Sequence, residues 1–512
     1  MALKYNDINE FSQIIGELRA SFTKRRLTTP LEYRRKQLEQ LYHLIEENKE
    51  ELCEALYNDL HKSKIESLIA EIGTLREECL EAHNNLYEWA APESVKTNMI
   101  YKMNKCHIRK DPVGTVLIIG AWNYPVTLLL TPLVGAIAAG CTAILKPSEL
   151  AANTAAVIAK LFPKYLDQNA YRIINGGATE TMALLKYRFD HIFYTGSGVV
   201  GKIIMSEAAK HLTPVTLELG GKNPVILADD ADIPISAKRL VWGKSFNSGQ
   251  TCIAPDYIIC TRDTQVALVK ELPKAIKDSY GSDPQKSPDY GRIINQRHFD
   301  RLSNLLSQTN GKVVIGGNSD RDDLYFEPTI VSDVPKDDSL MQEEIFGPVL
   351  PIVVVENIDE SIKYINERDT PLALYPFSRN DKTVKYILDN TRSGGVVIND
   401  TMLHYSVSSL PFGGTGASGI GAYHGRHTFD IFTHKRSVMS SPLALEKLLT
   451  IRYAPYSESN FKSMSYFMYS KPNFNSQGNI LNFKTVIGIL FMIVAYITIN
   501  GILSNLIDFS KS

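Results

Sequence analysis

From Asp111 onward, short apolar runs alternate with stretches of helical length, and this alternation restricts the fold more than any other feature of the chain. The runs "TVLIIGAW", "TAILKPS", "YRIINGG" and "HIFYTGS" are rich in Ile, Val and aromatics, and are apolar throughout rather than at every second position. Strands of that kind are buried on both faces, as in a parallel sheet covered by helices. The intervening "TLLLTPLVGAIAAG", "LAANTAAVIAKLF" and "TETMALLKYR" supply the covering helices. A second series runs from about Gly220 to Val397, with strands expected at "NPVILADD", "PIVVVEN" and "GGVVIND". The expected fold is α/β: a Rossmann-like lobe and a second α/β lobe with a cleft between them. Boundaries are expected at 1–217 for the N-terminal helices and first lobe and 218–398 for the second lobe. A bridging segment should follow at 399–445, then a linker at 446–484 and an apolar tail at 485–507.

The first hundred residues read as helix. Leu38, Leu41, Ile45, Leu52, Leu56 and Leu60 recur at helical spacing between charged residues, with Pro30 placed to open the run. Across 512 residues the formal net charge is -1, and no basic cluster suggests nucleic acid as a partner. Six cysteines without a CxxC pair make neither a disulfide framework nor a structural zinc site. The first residues, "MALKYNDINEFSQ", lack the apolar core of a secretory signal. Residues 485–507, "TVIGILFMIVAYITINGILSNLI", carry no charge at all. A helix of that length spans a hydrocarbon core of about 30 Å, so a tail anchor in a lipid bilayer is expected. Lys462, Lys471 and Lys484 precede it, which leaves the bulk of the chain on the cytosolic side.

"HIFYTGSGVVGKII" contains Gly196, Gly198 and Gly201 in a GxGxxG pattern after a strand and at the start of a helix. Backbone amides of Gly196, Ser197, Gly198, Val199, Val200 and Gly201 are then candidates to face a pyrophosphate. Glycine-rich turns are common, so the motif alone says little. The acid about twenty residues on, Glu218, would be the usual ribose ligand. The fingerprint, however, sits on the fourth strand of its series, and Glu218 precedes a Gly-Gly turn at the lobe boundary. Glu149 in "ILKPSE", beside Lys146 at a strand end, is the better ribose acid, which frees Glu218 for chemistry.

Four further segments belong together. "IIGAWNYP" ends a strand at Trp122 and Asn123, "LELGGK" offers Glu218, "GQTCIAP" offers Cys252, and "EEIFGP" offers Glu344 and Phe346. Singly, each has a plain structural explanation: a turn amide, a solvated acid, a core cysteine, a core ring. Together with "PLVGAIAAG" and "LPFGGTGASGIGAYHG", they resemble the aldehyde dehydrogenase superfamily, in its class 3 branch, from about Arg35 to about His434. The apolar tail narrows the resemblance to the membrane-anchored fatty aldehyde dehydrogenases. Two positions depart from the pattern: Gly198 stands where threonine or asparagine is frequent, and Ser248 where a second cysteine is common.

The resemblance implies NAD-dependent oxidation of long-chain aldehydes to acids. Cys252 would be the nucleophile, Asn123 would donate to the oxyanion, and Glu218 would activate the hydrolytic water. Lys146 and Glu149 would hold the adenosine ribose, Glu344 the nicotinamide ribose, and Phe346 would pack near the nicotinamide. A carboxylate at Glu149 favours NAD, and the neighbouring Lys146 leaves room for some NADP use. No metal is called for. The resemblance further implies a homodimer at the endoplasmic reticulum membrane, with the mitochondrial outer membrane and the peroxisome as alternatives. Two other functions fit the fold: a decayed, membrane-tethered binding protein, and a thiol esterase using Cys252 without a cofactor. Intact Cys252, Glu218 and Asn123 count against the first, and intact "GSGVVG" and "ILKPSE" against the second.

Overall fold

The computed structural model describes residues 3–25, 29–97, 101–102, 104–443, 446 and 450–469. The expected tail at 485–507 and the polar "KPNFNSQGN" before it lie outside the described residues. Among those described, no helix is long and apolar enough to cross a membrane.

The N-terminal region is helical: α1 (Phe11–Arg25), α2 (Leu31–Glu47), α3 (Lys49–Leu60) and α4 (Thr74–Ala90). The single periodic run read from Pro30 to Leu60 is in fact two helices. Asn48 interrupts it by turning its side-chain amide back on the Leu44 carbonyl at 2.9 Å and on the Tyr165 hydroxyl at 3.0 Å. Amide side chains compete in this way with the helical backbone. Between α3 and α4 lie a short helical turn, Lys64–Ser67, and a π-helical turn, Leu68–Gly73.

The first lobe is built on β1 (Thr115–Ile119), β2 (Thr142–Lys146), β3 (Tyr171–Ile173), β4 (His191–Thr195) and β5 (Val215–Glu218). All residues of β1, β2 and β4 are buried, as their uninterrupted apolar pattern requires. The covering helices include α5 (Thr127–Ala139), α6 (Ala152–Tyr165) and α7 (Gly198–Ala209). The second lobe, which α8 (Ile233–Ser245) enters, holds β6 (Pro224–Leu227), β7 (Tyr257–Cys260), β8 (Lys312–Ile315), β9 (Thr329–Ser332), β10 (Val349–Val354), β11 (Ala373–Phe377) and β12 (Gly395–Val396). Strand β13 (Gly419–Ile420), from the bridging segment, returns to the first sheet and pairs antiparallel with β5. The strand orders are β13-β5-β4-β1-β2-β3 and β8-β9-β10-β7-β6-β11-β12.

Register decides what meets what. In the first sheet Ile119 pairs with Lys146, and Thr195 with Glu218, so the carboxyl ends of these strands share one edge. In an open parallel sheet that edge is where ligands bind. In the second sheet Pro224 pairs with Tyr257 and Ile352 with Ile258, which groups the segments that lead into β6, β7 and β10. A separate compact unit, whose described residues fall within 91–110 and 435–469, carries strand Glu93–Ser94, most of strands Lys105–Pro112 and Thr433–Ser440, and helix Glu458–Met468.

Candidate active site

The segment from α8 to β7 carries Cys252 on a turn with unusual backbone. Asn247 (φ 52°), Ser248 (φ 53°) and Gly249 (φ 72°) are all left-handed in succession. Side chains with a Cβ rarely accept that region, so the turn depends on outside bonds. Gln250, with no exposed surface, supplies several. Its Nε2 donates to the Asn247 carbonyl at 3.1 Å and the Arg292 carbonyl at 2.9 Å, and its Oε1 accepts from Ile294 N at 3.0 Å. Downstream, Asn223 Nδ2 donates to the Cys252 carbonyl at 2.8 Å and to the Ala254 carbonyl at 3.0 Å. Cys252 itself is partly exposed, whereas Cys53, Cys79, Cys141 and Cys260 are buried.

Asn123 follows β1 and is buried. Its Nδ2 donates to the Gln250 carbonyl at 3.0 Å, two residues before Cys252. The backbone carbonyl of Asn123 accepts from Lys62 Nζ at 3.0 Å and from Asn247 Nδ2 at 2.9 Å. Lys62 in turn forms a wholly buried ion pair with Glu71 at 2.7 Å, and Glu71 Oε2 accepts from the amides of Val126 and Thr127 at 3.0 Å each. A buried pair is costly unless its remaining polar atoms are bonded, and here they are. Tyr124 and Phe246 are buried and Trp242 is partly buried. The Tyr124 hydroxyl bonds to Thr251 Oγ1 at 2.6 Å, and the rings of Trp242 and Phe246 meet edge-on at 5.5 Å.

Glu218 ends β5. It is buried, and neither of its carboxylate oxygens has a hydrogen-bond partner among the described residues. Burial pushes its pKa well above the usual carboxylate range, so it holds its proton to higher pH. It is therefore not a solvated edge acid. The Gly196 amide donates to the Glu218 carbonyl at 3.0 Å, tying the glycine fingerprint to this acid. Burial also pushes the Cys252 thiol up, with Glu344 and then Glu218 adding to the effect. Glu344 and Glu218 are thus the two carboxylates whose charge reaches Cys252.

Glu344 reaches the same place from the segment before β10. A Cβ added at Gly220 would lie 2.0 Å from Glu344 Oε2, so the two are in close contact. Glu344 Oε1 is buried without a hydrogen-bond partner among the described residues, and burial, then Asp256, push this carboxyl up to about 8. Buried Asp256 anchors the turn by accepting from Ile345 N at 3.1 Å. Lys222 joins it, bonding Asp256 at 2.6 Å and the carbonyls of Leu340 and Glu343 at 2.6 and 2.9 Å. Phe346 takes φ 50° at this turn, and its ring meets Trp122 edge-on at 5.3 Å.

The remaining candidates occupy the strand-end edge of the first sheet. Lys146 Nζ contacts Glu149 Oε2 at 3.2 Å and donates to the Gly176 carbonyl at 2.9 Å. Ser197 caps α7, its hydroxyl accepting from Val200 N at 3.4 Å. No atom lies near the missing side chain of Gly198, Val199 is 75% exposed, and Gly201 packs under Leu219. Of the six amides expected to face a pyrophosphate, Gly196 is bonded to Glu218 and both Val200 and Gly201 to Ser197, which leaves the first turn of α7 at Gly198 and Val199. That turn, an acid–lysine pair on the same sheet edge and the buried Glu344 Oε1 together fit a dinucleotide.

As candidates, sequence reasoning singled out Cys252, Glu218, Asn123, Lys146, Glu149, Glu344 and Phe346. It missed the supports beneath them: Lys62, Glu66, Glu71, Lys222, Asn223, Gln250 and Asp256. The one signal that could have pointed to them is polar residues in otherwise apolar surroundings, as in "HKSKIESLIAE".

Residues 6–438 match the model of the aldehyde dehydrogenase family. Mouse aldehyde dehydrogenase family 3 member A2 is 51% identical over 442 residues, covering 86% of this chain and 91% of the mouse protein. The dog protein named aldehyde dehydrogenase, dimeric NADP-preferring, is 49% identical, covering 88% of this chain and 98% of its own. Among solved structures, the substrate-bound state of Staphylococcus aureus AldH superposes with a TM-score of 0.87 at 42% identity, covering 91% of this chain and all of that one. The chain belongs to the aldehyde dehydrogenase family, in its class 3 branch, and is an enzyme that uses NAD or NADP.

Proposed function

We propose that this enzyme oxidises long-chain aliphatic aldehydes to carboxylic acids through a thioester on Cys252, with NAD preferred over NADP. The observation that carries the reading is the convergence on Cys252 of Asn123, bonded to the same turn, and Glu218, buried with both oxygens open. After its proton leaves to water, the Cys252 sulfur attacks the aldehyde carbon, and the carbonyl π pair moves to oxygen. The Asn123 amide has two N–H groups. Gln250 takes one and fixes the plane, and the other, with the Cys252 N–H, donates to the oxyanion. NAD supplies, when bound, a cationic ring that accepts hydride. Loss of hydride from the carbon of the Cys252 adduct leaves a thioester. Glu218 takes a proton from water, whose oxygen attacks the thioester carbon, and the C–S bond breaks to release the acid and the sulfur. Lys146 and Glu149 would hold the adenosine ribose, and Glu344 the nicotinamide ribose. Phe346, braced on Trp122, would pack at the nicotinamide, and the amides of Gly198 and Val199 would face the pyrophosphate, those of Gly196, Val200 and Gly201 being bonded within the protein.

Long-chain specificity draws support from the 51% identity to mouse family 3 member A2 and from the uncharged run 485–507. That run anchors the enzyme in the endoplasmic reticulum membrane, with its catalytic part in the cytosol. A homodimer accords with the dog relative, which is named dimeric. The test follows absorbance of reduced nicotinamide with a long-chain aldehyde, for the wild-type chain and for Cys252→Ala. Oxidation should vanish in the variant while NAD binding persists. Residual turnover above about a thousandth of wild type would remove Cys252 from the mechanism, since no other group here can form the thioester.

A further inference from the structure

The left-handed run Asn247–Gly249 needs a fastening at its first amide, and that fastening comes from a distant segment. Glu66 Oε2 accepts from Asn247 N at 3.0 Å across 181 positions of sequence. Glu66 sits on the short turn Lys64–Ser67, whose N-cap Ser63 accepts from Glu66 N at 3.2 Å. Within the ten residues from Lys62 to Glu71, three side chains thus hold the floor of the site. Lys62 holds the Asn123 carbonyl, Glu71 the amides after it, and Glu66 the turn that carries Cys252.

We propose that Glu66 is a positioning residue for this reaction, its carboxylate clamping the Asn247 amide so that the strained turn presents Cys252 to Asn123. The proposal rests on Cys252 being the nucleophile. Asn247 is the hinge of the arrangement, because its own Nδ2 bonds both the Asn123 carbonyl at 2.9 Å and the Gln250 carbonyl at 3.2 Å. Releasing its backbone would loosen both oxyanion donors together. A carboxylate is a stronger acceptor than an amide oxygen, which suits a turn that holds two non-glycine residues in the left-handed region. That strength has a cost: Glu66 is buried, with Lys62 and Asp289 as the charges around it and Tyr124 and Tyr280 within its field. Burial pushes its carboxyl up to about 7.

The test compares Glu66→Met, which fills the space without an acceptor, and Glu66→Gln, which keeps one, in the full chain. Displacing a reacting group by about 1 Å costs roughly a hundredfold in rate, so Glu66→Met should lower kcat by about 10- to 100-fold. KM for NAD should stay within about twofold, since Glu66 touches no part of the dinucleotide edge. Glu66→Gln should return kcat to within about threefold of wild type. Inactivation by iodoacetamide without cofactor reads the presentation of Cys252 independently of turnover, and should slow in Glu66→Met and recover in Glu66→Gln. A Glu66→Met enzyme with wild-type kcat and alkylation rate overturns the clamp, as does a Glu66→Gln enzyme as impaired as Glu66→Met. If Cys252 were not the nucleophile, alkylating it would leave the wild-type enzyme active, an outcome distinct from either of these.

Discussion

Glu218 combines two properties that seldom persist together, burial and no hydrogen bond to either oxygen among the described residues. A buried carboxyl with nothing to stabilise its charge holds its proton to higher pH, and once ionised it is a stronger base. The sign for activity follows. The base form is scarce at low pH and accumulates as pH rises through the elevated value, so thioester hydrolysis should speed up over that range. Glu218→Gln should abolish this dependence and lower steady-state turnover by about 10²–10⁴, while one equivalent of reduced cofactor per site still appears in a burst. A variant without the burst would place Glu218 before hydride transfer. The candidates for this chemistry stand out in the sequence because each lies in a short segment of distinctive wording. Gln250, Asn223 and Glu66 could not, because their roles come from bonds that cross 42, 29 and 181 positions of chain. Nothing local distinguishes a glutamate that clamps an amide from one that faces solvent.

At the scale of elements, the two sheets contribute in opposite senses: the first offers the carboxyl ends of its strands, the second the turns that lead into them. The strands themselves were legible because uninterrupted burial leaves an apolar run, and β1, β2 and β4 fall where those runs are. The break at Asn48 was not, because the periodicity of Leu38 to Leu60 continues in phase across it and only a side-chain amide ends the helix. "GGVVIND" likewise promised more strand than the two residues of β12. Where the sheets approach, Gly220 is the contact. Its φ is not in the left-handed region, so space alone forbids a side chain there. Gly220→Ala would put a methyl 2.0 Å from Glu344 Oε2 and must displace that carboxylate. The expected result is a rise in KM for NAD of about tenfold or more with the fold retained, given that about 1.4 kcal/mol is a factor of ten. Unchanged NAD binding in that variant would mean that Glu344 does not hold the cofactor.

The whole molecule joins a catalytic body to an uncharged segment at 485–507. Fatty aldehydes partition into bilayers, so an enzyme held at the membrane meets them at high local concentration. Deleting residues 485–512 should release the protein from membranes, since no described helix is long and apolar enough to span one. All the candidate site residues lie before position 347, outside the deletion, so a short aldehyde in buffer should be oxidised at the full rate. Loss should appear with a long-chain aldehyde delivered in vesicles. A truncated chain that still pellets with membranes, or that loses both activities equally, would make the segment part of the catalytic body instead.

The pairing of β13 with β5 has a consequence for how the protein is made. Gly419 lies opposite Glu218, and Leu219 N donates to the Ser418 carbonyl at 3.2 Å, so the strand that ends in Glu218 is covered by chain some two hundred positions later. On the ribosome, which adds roughly 5–20 residues per second, that edge stays bare for about ten seconds or more after Glu218 emerges. An unpaired edge invites pairing with other chains. Nascent chains stalled between 219 and 419 should therefore be the aggregation-prone and chaperone-dependent ones, and release past Ile420 the point at which the enzyme becomes both soluble and competent.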